Sequence, residues 1–124
     1  MSSIQSMADD IKRYMDEYSR LATSEMKEAV KTAANEAKKN VEANAPVRSG
    51  KYAKSWAVKK TKENSTALEL TVHSKTQYRL THLLEFGHAL RNGGRTEGQV
   101  HIAPAEHLAE QTLEAEIRRR LEGI

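Results

Sequence analysis

All five histidines follow residue 72, as His73, His82, His88, His101 and His107, and Glu85 lies among them. A cluster of His82, Glu85, His88 and His101 is what a metal-dependent nuclease or hydrolase would use. The spacing argues against it. His82 and His88 are six residues apart, as are His101 and His107, so neither pair shares a helix face at i, i+4 as in a zinc helix. Hydrogen-bonding roles in loops and interfaces are the simpler expectation, with no metal and no cofactor. Glu85 sits in the apolar run Leu83-Leu84-Glu85-Phe86-Gly87. Burial there would raise its pKa and equip it as an acid or base. The favoured alternative is structural: Glu85 accepts backbone N–H groups at the start of the Gly-rich loop or pairs with an arginine. No motif places a second catalytic carboxylate or a nucleophile, so no catalytic residue is assigned.

The stretch Arg91-Asn92-Gly93-Gly94-Arg95 is only loosely like a phosphate cradle. It lacks a following Lys-Ser or Lys-Thr and reads as a solvated turn. Arg118, Arg119 and Arg120 match the negative end of a helix, and Lys59, Lys60 and Lys62 serve solubility at a hairpin tip. Aromatic residues do not interleave with these bases, so a stacking platform for nucleic acid is absent. The net charge of +3 is too small to imply a nucleic-acid binder by itself.

These groups must be positioned by a small chain. With 124 residues, 38% apolar, one Trp and one Phe, the core is thin and mainly aliphatic. Part of the apolar surface is therefore expected to be buried against other subunits. The absence of cysteine excludes a disulfide scaffold and suits assembly in cytoplasm. No signal peptide is expected at the N-terminus, and no apolar run approaches the length of a membrane span.

Residues 1–45 read as one long helix. Apolar positions recur in steps of three and four, and from Ile4 through Met7, Ile11, Tyr14 and Tyr18 to Leu21 they follow a heptad seam. Ser2 or Ser3 could cap the start, and Pro46 ends the helix. The rest of the chain is too small to cover about 60 Å of helix. Either the helix breaks near Thr23 and Ser24, or its N-terminal half packs on another chain through Ile11, Tyr14, Tyr18 and Leu21.

A hairpin follows. Residues 52–60 put Trp56 and Val58 on one face, and residues 67–73 alternate with Leu68, Leu70 and Val72 on one face. Lys62-Glu63-Asn64-Ser65 reads as the turn. Residues 77–86 read as a short helix with Leu80, Leu83 and Leu84 buried, stopped by Gly87. The loop 88–99, with three glycines and two arginines, should be exposed and mobile. Residues 100–102 could form a third strand. Pro104 opens a last helix over 104–122, with Glu106 in its dipole-favoured early turn. Trp56, Leu70, Leu83 and Phe86 are the expected core. The fold class is α+β: long helix, β-hairpin, short helix, third strand and C-terminal helix. One unit over 1–124 is expected, with 50–103 as its β-rich middle.

Two segments carry a family resemblance. Ala43-Asn44-Ala45-Pro46-Val47-Arg48-Ser49-Gly50, followed by Tyr52, Ser55 and Trp56, resembles a segment of the bacteriophage head–tail joining proteins, also called neck or tail-completion proteins. His82-Leu83-Leu84-Glu85-Phe86-Gly87-His88, then Gly93-Gly94-Arg95, then Val100-His101-Ile102-Ala103-Pro104-Ala105-Glu106 is similar to that family's leucine-glutamate-aromatic-glycine block and closing helix start. The resemblance covers about residues 30–122. The family often has an aromatic beside the final proline, where this chain has Ile102 and Ala103.

The resemblance implies a non-enzymatic virion protein, a ring or plug subunit at the neck or tail top of a long-tailed phage, assembled in the host cytoplasm. Its partners would be copies of itself, head-closure or connector proteins, and tail-terminator or tail-tube proteins. DNA would only pass through the lumen, and no membrane is involved. Pro46, Gly50, Trp56, Glu85, Phe86, Gly87, Gly93, Gly94 and Pro104 would be its structural motif, with loop 88–99 facing a neighbouring ring or the lumen. A small DNA-binding regulator with the first helix as dimer seam is a further alternative.

Overall fold

The structure, a computed structural model, describes residues 3–46 and 50–124. Ser2, one of the two candidate caps, and Ser49, the expected partner of Gly50 in the turn before the hairpin, lie outside the described residues. The elements in chain order are α1 (Ser3–Asn44), α2 (Lys51–Lys54), β1 (Trp56–Glu63), β2 (Leu68–Ser74), a 3-10 turn (Tyr78–Leu80), α3 (Thr81–Phe86) and α4 (Ile102–Glu122). The class is mixed α+β and dominated by helix, as the periodicities predict.

α1 is unbroken. At 1.5 Å per residue its 42 residues span about 63 Å. No Gly or Pro interrupts Thr23 and Ser24, so the expected break has no local cause. α4 runs antiparallel to it. Gln99, just before α4, donates from Nε2 to the Asn44 carbonyl at 2.7 Å, and Arg120 near its end pairs with Glu25 at 2.9 Å. The hairpin reaches the same level, with Lys27 Nζ donating to the Asn64 carbonyl at 2.6 Å. α1 is therefore clothed from about Glu25 onward, and residues 5–21 project beyond the rest.

The side chains change size at that boundary. Where α1 is covered, its buried positions are Ala29, Ala33, Ala34, Ala37 and Val41, and Ala45, just past its end, continues the row of four-residue steps from Ala29. Such a row of small residues lets α4 and the sheet approach closely. Val41, Ala45, Tyr52, Trp56 and Ala105 form the core cluster, with Ala53, Val72, Leu84 and Ile102 packed on it.

β1 and β2 pair antiparallel, Trp56 opposite Ser74 and Val58 opposite Val72, with a bulge between Lys60 and Lys62. β1 runs two residues, Lys62 and Glu63, into the expected turn. Asn64 closes the tip by accepting the Thr66 backbone N–H on its side-chain oxygen at 2.9 Å.

Several expectations need correction. Tyr52 is not in a strand: Gly50, at φ 77, starts the single turn of α2. There is no third strand among the described residues, because residues 100–102 find no ladder partner, and α4 begins at Ile102, two residues before the expected start. Leu80 is exposed in the 3-10 turn, and Leu70 is half-buried on β2. Phe86 is 72% exposed rather than in the core. α3 has six residues, and adjacent positions differ by about 100°. With Glu85 facing inward, Phe86 must face out. No helix is long and apolar enough to cross a membrane among the described residues.

Candidate functional site

Glu85 is the best-connected polar side chain among the described residues. It is 4% exposed. Its Oε1 accepts the backbone N–H of His101 at 2.7 Å and of Ile102 at 2.9 Å, and Oε2 accepts that of Ala103 at 3.1 Å. A helix leaves its first four N–H groups without intrahelical partners. In α4 those belong to His101, Ile102, Ala103 and Pro104. Glu85 satisfies the first three, and proline lacks the fourth. The carboxylate also meets the positive end of the helix. Glu106, in the second turn, has no such role.

Burial pushes the Glu85 pKa up, but the three N–H groups outweigh burial and hold it below the ordinary carboxylate range. The direction is opposite to that expected of an acid–base group in an apolar pocket. The structural alternative holds in kind, with the N–H groups coming from α4 instead of the loop's start.

His101 extends the network. It is fully buried, with Nδ1 2.6 Å from the Gln99 carbonyl and 2.9 Å from Glu85 Oε1. Both can only accept, so Nδ1 carries a proton. Nε2 lies 2.6 Å from the Tyr52 hydroxyl. Burial, reinforced by the Glu85 charge, pushes that hydroxyl up to about 12, so it keeps its proton and can donate to Nε2. Tyr52, Trp56 and His101 pack edge-to-face, with centroids 5.4 to 6.4 Å apart. The network ties α2, β1, α3 and the start of α4 together, and both His101 ring nitrogens are engaged in it.

His82 and His88 stand apart from it and are exposed. Among the described residues, no three His, Asp or Glu side chains gather as metal ligands would. The arginine cluster is neutralised locally. Arg118 pairs with Glu114, Arg119 with Glu116, and Arg120 with Glu116 and Glu25. Arg119 in turn holds the Glu116 carboxyl low. At the hairpin, Lys60 and Lys27 pair with Glu63.

Loop 88–99 is exposed, and hydrogen bonds close it on itself. Thr96 N–H donates to the His88 carbonyl at 2.9 Å, and Leu90 N–H to the Gly94 carbonyl at 2.9 Å. Gly87, Gly93 and Gly94 have φ of 78, 84 and 100. Gly93 and Gly94 have open space around them, so only their backbone requires glycine. Gly98, which no sequence signal singled out, is required by space. A Cβ there would overlap the Glu85 carbonyl. The close approach lets Gln99 N–H reach the Leu84 carbonyl at 2.8 Å, placing His101 over Glu85.

The seam residues lie on the projecting part of α1. Ile11, Tyr14, Tyr18 and Leu21 are 46–63% exposed, and Met7 and Met15 accompany them. Large apolar side chains therefore occupy the uncovered half of α1, and alanines the covered half. Isolated apolar residues on a surface need no explanation, but a continuous stripe marks a contact surface.

Comparison with known proteins adds one match. Residues 9–87, nearly two thirds of the chain, match the HK97-gp10-like family model, described as "Bacteriophage HK97-gp10, putative tail-component". No curated protein and no solved structure matches.

Proposed function

The chain belongs to the HK97-gp10-like family of bacteriophage tail components, and from that membership we propose that it joins or completes the head–tail interface of a long-tailed phage. It acts as a subunit of an oligomeric ring or plug at the neck or tail top, with residues 1–124 as one unit. Hydrophobic faces carry the function, and no residue acts as a catalyst. Partners are other copies of the chain, head-closure or connector proteins, and tail-terminator or tail-tube proteins. DNA passes through the lumen without being read.

The observation that carries this reading is the stripe of Ile11, Tyr14, Tyr18 and Leu21 on a helix that outruns its own protein. A subunit that keeps its largest apolar side chains in water completes its burial by assembly. In the same reading, Phe86 and the loop with Gly93 and Gly94 face a neighbouring ring or the lumen. The buried Glu85 network fixes the base of that loop while its tip remains available.

Deleting the gene and examining the lysate by negative-stain microscopy tests the role. DNA-filled heads beside separate tails are expected. Intact infectious particles would overturn the reading.

A further inference from the structure

We propose that the projecting segment of α1, residues 5–21, docks into an apolar groove on the next copy of this chain, so that each subunit gives a helix and receives one. The inference rests on the ring-subunit reading and specifies its self-contact. The groove lies where α1, β2 and α4 fail to close over one another. Two adjoining hollows of about 240 and 260 Å³ share Val30 and run along α1 from Thr23 to Ala34. Met26, Leu68, Leu70, Val72 and Leu113 line their walls. Leu68, Leu70 and Val72 are the apolar face of β2, and they are only half-buried.

The occupant must be a helix of matching length and polarity. The groove floor spans about 17 Å of helix, and the stripe from Met7 to Leu21 spans about 21 Å. The chain's own segment cannot fold back, because α1 is continuous through residue 23. A second copy supplies the same segment free. An amphipathic helix laid in an apolar groove is a recurrent recognition mode.

Charge sets the orientation. Lys12 lies to one side of the stripe; on the other, Asp10 and Glu17 alternate with Arg13 and Arg20, and Arg13 pairs with Asp10 at 2.8 Å. The groove's α4 rim carries Glu106 and Glu110, without ion-pair partners among the described residues, and the lysine that lines its other end, Lys27, is already paired with Glu63. Placing Lys12 on the α4 side sets it against Glu106 and Glu110 and keeps Asp10 and Glu17 away from them. Pairing two such segments as a symmetric coiled coil does worse. Asp10 and Glu17 fall at g positions with Ala8, Met15 and Ala22 at e. An antiparallel pair then opposes acid to acid, and a parallel pair leaves the acids unmatched. Helix into groove is a heterologous contact, which repeats around a ring or along a filament.

The natural chain has no cysteine, so engineered ones report without background. Two differently tagged chains, Tyr14→Cys and Leu113→Cys, are co-expressed in cells producing the phage and oxidised after lysis. Circular dichroism confirms that each variant is folded. The expected product is a disulfide between the two tags, and the double variant forms a ladder of multimers. Lys12→Glu should abolish the ladder, and Glu106→Lys with Glu110→Lys should restore it. Tyr14→Cys dimers in place of mixed ones would overturn the proposal in favour of a symmetric pair. No disulfide in assembled particles would overturn it outright. Linked multimers in a phage whose deletion mutant still joins heads to tails would keep the contact and refute the joining role.

Discussion

Replacing Glu85 by glutamine should destabilise the chain far more than any single exposed ion pair does. The carboxylate serves three backbone N–H groups at 2.7, 2.9 and 3.1 Å. Hydrogen bonds to a charged group contribute about 1.5–3 kcal/mol each, and bonds sharing one acceptor do not add fully. Glutamine keeps a carbonyl oxygen for His101 and Ile102. It turns an NH2 group against the Ala103 N–H and removes the charge from the helix terminus. A loss of about 2–4 kcal/mol follows. For a chain of this length, about 4 °C of melting temperature corresponds to 1 kcal/mol, so Glu85→Gln should melt about 8–16 °C lower. The pH dependence supplies an independent check. A carboxyl whose folded pKa is depressed stabilises the fold above its unfolded pKa of about 4.3. That contribution is lost as pH falls through the lower folded value, because the unfolded state then binds the extra proton. Wild type should lose stability through this window, and Glu85→Gln should lose less. Thermal unfolding by circular dichroism from neutral pH to about pH 3 reads both effects. A variant melting within about 2 °C of wild type, with an unchanged acid limb, would refute the capping account.

Other positions give sharper contrasts. Gly98→Ala should cost at least about 2 kcal/mol in urea unfolding, since its Cβ meets backbone. Gly93→Ala, strained only by its φ of 84, should cost about 1–2 kcal/mol; the reverse order would contradict the steric argument. Tyr52→Phe leaves the buried His101 Nε2 without its donor and should cost about 1–3 kcal/mol by the same assay. Arg120→Ala breaks partly exposed pairs with Glu25 and Glu116 and should shift stability by no more than about 1 kcal/mol.

The long elements were legible because their periodicity repeats many times. Residues 4–41 give ten turns of helical pattern, and Leu68, Leu70 and Val72 give a clean alternation on β2. Short elements carried too few repeats to fix a phase. α3 has fewer than two turns, so nothing local decided whether Glu85 or Phe86 faced inward. Its neighbour α4 decided it, through donors 16 to 18 residues away. Residues 100–102 have strand-like composition, but a strand needs a partner, and the caps offered by Glu85 made them a helix start instead. Pro104 was a visible clue, since proline suits a position whose N–H has no use. The need for glycine at 98 was invisible, because it arises from the backbone of a different segment. The apolar stripe on α1 was legible as a stripe, whereas its exposure depended on how far α4 and the hairpin reach.

The most direct test is complementation of the deletion phage with the chain carrying Ile11→Ser, Tyr14→Ser, Tyr18→Ser and Leu21→Ser together. These side chains contact nothing that holds the monomer, so the variant should melt within a few degrees of wild type. It should nevertheless fail to restore infectivity, leaving filled heads and separate tails in the lysate. Full complementation by this folded variant would contradict the claim that the exposed face of α1 carries the function.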